Sequence, residues 1–233
     1  MTASFRIFGT NAFRTVLLGA LPEFEKANGL KAVVDFGATN HTLARMRAGE
    51  TADLIFATAG ALRELASEGK VPGDSITVLA EAGVGAAVLA GKPKPDIGTV
   101  EAPKQTLLNA KSIGRSRAGQ SGIHIAKVIE DLGIAEAIKD KVTIHPAGLV
   151  AELLVAGKVE LAFQQISELM AVKGVDIVGP IPDAVQLKTI VAAAVGVGTA
   201  HANPAKALIR ELASPRSEEH TSELQSRFGI SYA

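Results

Sequence analysis

Two short stretches near the start of the chain share one pattern. The first reads Ile7-Phe8-Gly9-Thr10-Asn11-Ala12-Phe13, and the second reads Phe36-Gly37-Ala38-Thr39-Asn40-His41-Thr42-Leu43. In each, an apolar run typical of a strand reaches a glycine, continues into Thr-Asn and opens a helical pattern. The pattern predicts two strands of a sheet that are each followed closely by a helix.

Small polar residues at such junctions have a chemical use. A helix N-terminus presents free backbone N–H groups and the positive end of the helix dipole. Two neighbouring junctions of this kind predict an uncharged pocket for a small anion. Asn11 by itself is also explained as an N-cap, which stabilises a helix by about 1 kcal/mol without any ligand. The second Thr-Asn pair, Thr39-Asn40, favours the ligand-binding interpretation.

The remainder of the chain alternates short strand patterns with amphipathic helix patterns. Strands are predicted at 5–9, 32–36, 53–58, 84–90, 112–116, 142–145, 160–165 and 189–197, and 175–178 continues the alternation. Helices are predicted at 12–28, 42–48, 61–68, 100–109, 122–132, 149–156 and 204–213. This alternation is typical of an α/β fold, with a mostly parallel sheet and helices on both faces. Pro22 is expected to bend or break the first helix.

The alternation falls into two similar sets, which predicts two lobes joined by crossover hinge strands. Lobe 1 is predicted to comprise 1–82 plus 194–215, and lobe 2 to comprise 83–193. Small residues place the hinges near 82–85 and 191–196.

The last 18 residues, 216–233, read as a translated artefact. Arg216-Ser217-Glu218-Glu219-His220-Thr221-Ser222-Glu223-Leu224-Gln225-Ser226 resembles the in-frame translation of a common sequencing adapter, and the same frame continues to Ala233. We therefore expect residues 216–233 to be a non-native tail that is not part of the fold.

Composition narrows the class of partner. Without the tail, the chain has 22 Lys and Arg residues and 21 Asp and Glu residues. Aromatic residues make up 4% of the whole chain. A near-neutral chain with few aromatic residues argues against nucleic acid as a partner. Cysteine is absent, so disulfides, thiolate metal sites and cysteine catalysis are excluded. The first residues show no signal-peptide pattern, and no apolar run is long enough for a membrane span.

Catalytic and metal motifs are weak. The turn Gly119-Gln120-Ser121-Gly122 lacks the second glycine of a hydrolase elbow, because Ile123 occupies that position. The five histidines show no metal-ligand spacing, and His124 and His145 are interpreted as structural. Arg115 and Arg117 are candidates for compensating the charge of an anion, whereas Arg14 fits a solvated helix face. No catalytic residue, metal or cofactor is predicted.

Several segments together resemble a known family, the periplasmic molybdate-binding proteins, which are substrate-binding components of ABC importers with the type 2 periplasmic-binding fold. The resemblance covers roughly residues 5 to 215. It is carried by Leu21-Pro22-Glu23-Phe24-Glu25, Arg47-Ala48-Gly49-Glu50-Thr51-Ala52-Asp53-Leu54, Ser121-Gly122-Ile123, Gln164-Gln165-Ile166-Ser167-Glu168-Leu169 and Asn203-Pro204-Ala205-Lys206-Ala207-Leu208-Ile209.

The resemblance implies a ligand held between two lobes by hydroxyls and backbone amides at strand-to-helix junctions. Carried over to this chain, it implies Thr10, Asn11, Ala12, Thr39 and Asn40 in lobe 1. In lobe 2 it implies Ser121, Gly122, Gly148, Leu149 and Gln165. Molybdate binders usually have serines at the first two junctions and a tyrosine at the last, where this chain has Thr-Asn and Gln165. The family pattern therefore indicates a class of small oxyanions, with molybdate or tungstate as its leading members.

The expected function is that of a non-enzymatic, monomeric solute-binding protein that delivers a small oxyanion to the membrane subunits of an ABC importer. The family implies the periplasm, whereas the missing signal peptide leaves the cytoplasm open. The alternative is a ligand sensor of the same fold that binds a small organic or inorganic anion.

Overall fold

A computed structural model describes residues 3–99, 101–214 and 231–232 of the 233-residue chain. Within these residues the chain divides into two compact units: unit 1 holds 3–81, 189–214 and 231–232, and unit 2 holds 82–99 and 101–188. Each unit is a sheet flanked by helices, so the predicted α/β fold class is confirmed.

The secondary structure begins with β1 (Ala3–Thr10), α1 (Arg14–Asn28), β2 (Leu30–Gly37), α2 (Thr39–Arg47), β3 (Leu54–Thr58) and α3 (Ala59–Ser67). It continues with β4 (Thr77–Leu89), α4 (Ala102–Asn109), β5 (Ile113–Ser116), α5 (Gln120–Asp131), α6 (Ala135–Ile138), β6 (Val142–His145) and α7 (Glu152–Val155). It ends with β7 (Leu161–Gln165), α8 (Ile166–Met170), β8 (Val175–Pro180), β9 (Lys188–Val195), α9 (Ala202–Leu212) and β10 (Ser231–Tyr232). Short 3₁₀ helices occupy Asn11–Phe13, Gly73–Ser75, Lys139–Lys141 and Asp183–Val185.

The sheet of unit 1 has the order β2-β1-β3-β9, with β9 antiparallel to β3 and the other pairs parallel. Successive residues of a strand face opposite sides of a sheet. Phe5 and Ile7 accordingly join one buried cluster with residues of α1 and α9, while Phe8 joins another with residues of α2 and α3. Helices therefore cover both faces, as the alternation of the sequence predicts.

The sheet of unit 2 has the order β4-β7-β5-β6, and β8 also pairs with β4. The β6-β5-β7 part is parallel, whereas β4 runs antiparallel to β7. Ile113 and Phe163 are buried in one cluster with Ile125 and Ile129 of α5. A side chain at Gly114 would meet Val150, which places the chain before α7 against the other face.

Several element boundaries differ from the prediction. Helix α1 is continuous through Pro22, so the predicted break does not occur. The carbonyl of Leu18 loses its partner there, but Leu18 is exposed and water can replace it. Helices α2 and α5 begin at Thr39 and Gln120, so Thr39-Asn40 and Ser121-Gly122 each lie in the first turn of a helix. The short helices α6 and α8 were not predicted.

The unit boundaries lie close to the predicted lobe boundaries but do not coincide with them. The units change after Glu81 and after Lys188, whereas the predicted lobes change after residues 82 and 193. The second difference arises because residues 191–195 of β9 pair with β3 and thereby extend the sheet of unit 1. The division into functional lobes and the hinges stay predictions.

The predicted non-native tail falls mostly outside the described residues, which omit 215–230 and 233. Its Ser231 and Tyr232 form β10, which pairs with Glu81 and Ala80 of β4. Among the described helices, none is both long enough and apolar enough for a membrane crossing.

Candidate functional site

In unit 1 the two predicted strand-to-helix junctions, at 9–13 and 36–43, lie side by side. Thr10 pairs with Gly37 in the parallel ladder of β1 and β2, so both strands end at one edge of the sheet. The 3₁₀ helix Asn11–Phe13 follows one strand, and α2 follows the other. The structure therefore brings Thr10 and Asn11 to the edge that also carries Thr39.

The local roles at this edge differ from the N-cap interpretation. Asn11 lies inside the 3₁₀ helix, and the N-cap of α2 is Ala38 rather than a residue of the Thr-Asn pair. Thr10 caps the 3₁₀ helix through its backbone only, because its side chain makes no capping bond. Thr10, Asn11, Ala12 and Thr39 are buried, whereas Asn40 is exposed. Buried polar side chains without a structural capping role remain candidates for holding a ligand.

In unit 2 three parallel strands end together. Ser116 pairs with His145 across β5 and β6, and Arg115 pairs with Phe163 across β5 and β7. Strand β7 continues two residues farther, to Gln165. Open α/β sheets bind ligands beyond such carboxyl ends of their strands, and Gln165 lies at this edge as predicted.

The start of α5 packs closely on the end of β5. The N-cap of α5 is Gly119, with no side-chain capping bond, and Ser121 and Gly122 occupy the first turn. A Cβ at Gly119 would lie 2.7 Å from Ser116 Oγ, and a Cβ at Gly122 would come well within 3.0 Å of the same oxygen. The predicted Ser121-Gly122 junction is therefore built directly onto Ser116.

The predicted Gly148-Leu149 junction is held by Gln164. Its Oε1 accepts from the backbone N–H of Val150 at 2.7 Å, and its Nε2 donates to the carbonyl of Gly148 at 3.3 Å. Gly148 has a φ of +90°, a conformation that L side chains rarely adopt. Gln164, which was not a predicted site residue, thus fixes the loop that carries the predicted residues Gly148 and Leu149.

Four buried polar atoms of unit 2 have no hydrogen-bond partner among the described residues. They are Ser116 Oγ, His145 Nε2, Gln165 Oε1 and Ser167 Oγ. Of these residues, only Gln165 was a predicted ligand-binding residue, and His145 was predicted to be structural. His124, by contrast, contacts the carbonyl of Val185 at 2.7 Å through Nε2, in agreement with a structural role. No local motif marks Ser116 or Ser167.

Two charged groups belong to the same region. The guanidinium of Arg115 donates to the carbonyl oxygens of Ser116 at 3.3 Å and Gly122 at 3.4 Å. Desolvation raises the pKa of Glu168 to about 7. Hydrogen bonds from the Gln164 side chain and the Gln165 backbone favour the charged form and lower the pKa, but their effect is smaller. Glu168 is therefore able to exchange a proton near neutral pH.

Elsewhere, the guanidinium of Arg14 lies 4.4 Å from the centre of the Phe36 ring, which is a cation–π contact. In the part of the chain that the structure describes, no three His, Asp or Glu side chains gather into a potential metal site.

Comparison with known proteins identifies the family. The family model described as a bacterial extracellular solute-binding protein matches residues 5–220, which reaches five residues into the suspected tail. A protein named aconitate isomerase, from a Pseudomonas species, is 36% identical over 83% of this chain and 76% of its own length.

Solved structures share the fold at low sequence identity. The periplasmic molybdate-binding protein of Azotobacter vinelandii has a TM-score of 0.76 and 15% identity, and 98% of each chain is covered. The sulfate-binding protein of Mycobacterium tuberculosis has a TM-score of 0.69 and 17% identity, over 95% of this chain and 85% of that one. The family match spans nearly all of the described residues, and the chain belongs to the bacterial extracellular solute-binding proteins.

Proposed function

We propose that this protein binds a small anion at its strand ends through neutral hydroxyls, amides and backbone N–H groups. The observation that carries the proposal is the set of three buried, unpartnered polar atoms in unit 2 that can donate to an anion: Ser116 Oγ, His145 Nε2 and Ser167 Oγ. Ser116 and His145 each end a strand of the parallel part of the sheet, whereas the fourth unpartnered atom, Gln165 Oε1, only accepts. Leaving such groups without a partner costs about 1–3 kcal/mol each, so a ligand that satisfies them gains that free energy. Thr10, Asn11 and Thr39 supply similar groups at the strand ends of unit 1.

The proposed ligand class is a small organic polycarboxylate, with aconitate as its first member. The relative that is 36% identical is named for aconitate, whereas the molybdate- and sulfate-binding proteins are 15% and 17% identical. The N–H groups of Asn and Gln amides donate to carboxylate oxygens, so neutral amides at the site are compatible with a polycarboxylate ligand.

The expected biological setting is that of the family. We propose a monomer that works outside the cytoplasm and hands its ligand to the membrane subunits of an ABC importer. Molybdate or tungstate remains the second ligand candidate, because the fold is that of the molybdate-binding protein and the site donors are uncharged.

Isothermal titration tests the ligand class. Trans-aconitate, cis-aconitate, citrate, molybdate, tungstate and sulfate are each titrated into the full chain. Binding of the carboxylates alone supports the proposal, binding of molybdate and tungstate alone supports the second candidate, and a folded protein that binds none of the six contradicts both.

A second candidate function is aconitate isomerisation, which the name of the relative and the raised pKa of Glu168 favour. Moving the double bond of aconitate removes a proton from a methylene carbon and returns one to the former alkene carbon, with no net oxidant or reductant. Glu168 is our candidate for that proton carrier. Incubation in deuterated buffer checks this by proton NMR: conversion of the trans to the cis isomer with deuterium uptake, lost in Glu168→Gln, establishes an enzyme. Binding without conversion leaves a non-enzymatic binding protein.

We also propose that residues 216–233 are not native to this family of chains. Removal of these residues is expected to leave anion binding unchanged, and a truncated chain that folds but has lost its affinity would contradict this.

A further inference from the structure

Two of the unpartnered atoms in unit 2 belong to residues that face each other across a parallel ladder. Ser116 ends β5, His145 ends β6, and the two are register partners. Register partners on neighbouring strands point to the same side of the sheet, and the strands lie about 4.8 Å apart. Ser116 Oγ and His145 Nε2 are both buried, and neither has a partner among the described residues.

The surroundings of Ser116 favour an anion. The residue is 6% exposed, and its Oγ lies against the first turn of the twelve-residue helix α5, at the positions of Gly119 and Gly122. That turn presents free N–H groups and the positive end of the helix dipole. The guanidinium of Arg115 adds a positive charge nearby, because it donates to the carbonyl of Ser116 at the end of β5 and to that of Gly122 in the first turn of α5. Neither bond involves Ser116 Oγ.

The buried nitrogen of His145 lies beside the Gly148 loop. Its Nε2 would lie 3.5 Å from a Cβ at Gly148, so this nitrogen points towards the glycine rather than towards a hydrogen-bonding side chain. The Gly148 loop is fixed in place by Gln164, so the position of the loop beside His145 is also fixed.

We propose that Ser116 and His145 form a subsite for one carboxylate of the ligand, in addition to the strand-end residues that the family resemblance implies. Ser116 Oγ–H and His145 Nε2–H each donate to one oxygen of that carboxylate, and the first turn of α5 supplies further N–H donors. Two donors on adjacent strands match a planar, two-oxygen group. This inference rests on the proposed function, and it identifies the residues that select a carboxylate.

The test is titration of wild type and four variants with trans-aconitate, molybdate, and the dicarboxylates glutarate and succinate. Relative to the tricarboxylate skeleton, glutarate lacks the central carboxylate and succinate lacks one terminal carboxymethyl group. Ser116→Ala and His145→Leu are each expected to weaken trans-aconitate binding about tenfold or more, because each removes a hydrogen bond to a charged group. His145→Gln, which retains an amide donor, is expected to lose less. One of the two dicarboxylates lacks the carboxylate that the subsite recognises. Wild type and the variants are expected to bind that dicarboxylate with the same affinity.

Thr189→Val is the matched control, because Thr189 Oγ1 is also buried and unpartnered among the described residues but lies in unit 1 at the start of β9. It is expected to retain wild-type affinity. A merely structural Ser116 predicts unchanged binding in Ser116→Ala, and that result in a variant with wild-type thermal stability would overturn the subsite. Equal losses for molybdate and trans-aconitate would overturn its assignment to a carboxylate. A wild-type protein that binds none of these anions would instead defeat the proposed function, and the subsite with it.

Discussion

The backbone carbonyl of Ser116 occupies the space that a side chain at Gly122 would need. A Cβ at Gly122 would come well within 3.0 Å of both the carbonyl oxygen and Oγ of Ser116, distances that real Cβ atoms do not show. The end of β5 and the first turn of α5 approach this closely only because position 122 is a glycine.

Gly122→Ala is therefore expected to lower the free energy of unfolding by about 1–3 kcal/mol, as overpacking does, and to weaken anion binding as well. Chemical denaturation and titration of the same preparation measure both effects. Gly19→Ala is the control: Gly19 lies in α1 with no atom within 4 Å of an added Cβ. It is expected to stabilise by about 0.5–1 kcal/mol through helix propensity. Equal stability of Gly122→Ala and wild type would show that the strand end can shift freely.

Gln164→Leu is expected to release the Gly148 loop. The substitution removes the acceptor of the Val150 N–H and the donor to the Gly148 carbonyl. It therefore leaves the buried backbone N–H of Val150 without its partner. We expect a loss of about 2 kcal/mol in unfolding free energy and weaker anion binding. Gln105→Leu, at an exposed position of α4, provides the comparison and is expected to change neither quantity. A variant that loses stability but keeps its affinity for the anion would show that the Gly148 loop does not contribute to ligand binding.

Glu168 is expected to make stability depend on pH. Desolvation raises its pKa in the folded protein from 4.5 to about 7, so the folded state binds this proton more tightly than the unfolded chain does. The resulting stability is complete below about pH 4.5 and is lost as the pH rises to about 7. Glu168→Gln should remove a decline on the order of 1–3 kcal/mol across that window.

Denaturant titrations between pH 4 and 8 measure this difference. Glu130→Gln, at an exposed position of α5, should retain the wild-type slope. A wild-type slope that persists in Glu168→Gln would assign the titration to another group.

Arg45 is expected to be a larger contributor to stability than an exposed ion pair. Its side chain is 14% exposed, pairs with both Asp35 and Glu50, and lies 4.1 Å from the centre of the Phe8 ring. A lysine cannot reproduce the planar fork or the stacking, so Arg45→Lys is expected to lower the melting midpoint by about 2–4 °C. The control is Lys127→Gln, which removes an exposed pair with Asp131 and is expected to shift the midpoint by less than about 1 °C. Similar shifts in the two variants would contradict the role of the Phe8 contact.

The sequence by itself was sufficient to predict the α/β class and the strand-to-helix junctions at residues 9–13 and 36–43. These features follow from local periodicity, which changes from two to 3.6 where a strand gives way to a helix. The end of the first helix at residue 28 was predicted for the same reason, because Gly29 alone adopts the left-handed conformation, with φ +63°, that ends it.

Other features depended on contacts between residues far apart in the chain. The N-cap interpretation of Asn11 was wrong because the 3₁₀ helix at 11–13 begins before α1, and no local pattern separates the two kinds of turn. The pairing of Ser116 with His145 arises from the parallel register of β5 and β6, and the burial of their polar atoms arises from the packing of α5 and the Gly148 loop. A sequence encodes which residues are polar, but only the tertiary structure decides which of them are left buried without a partner.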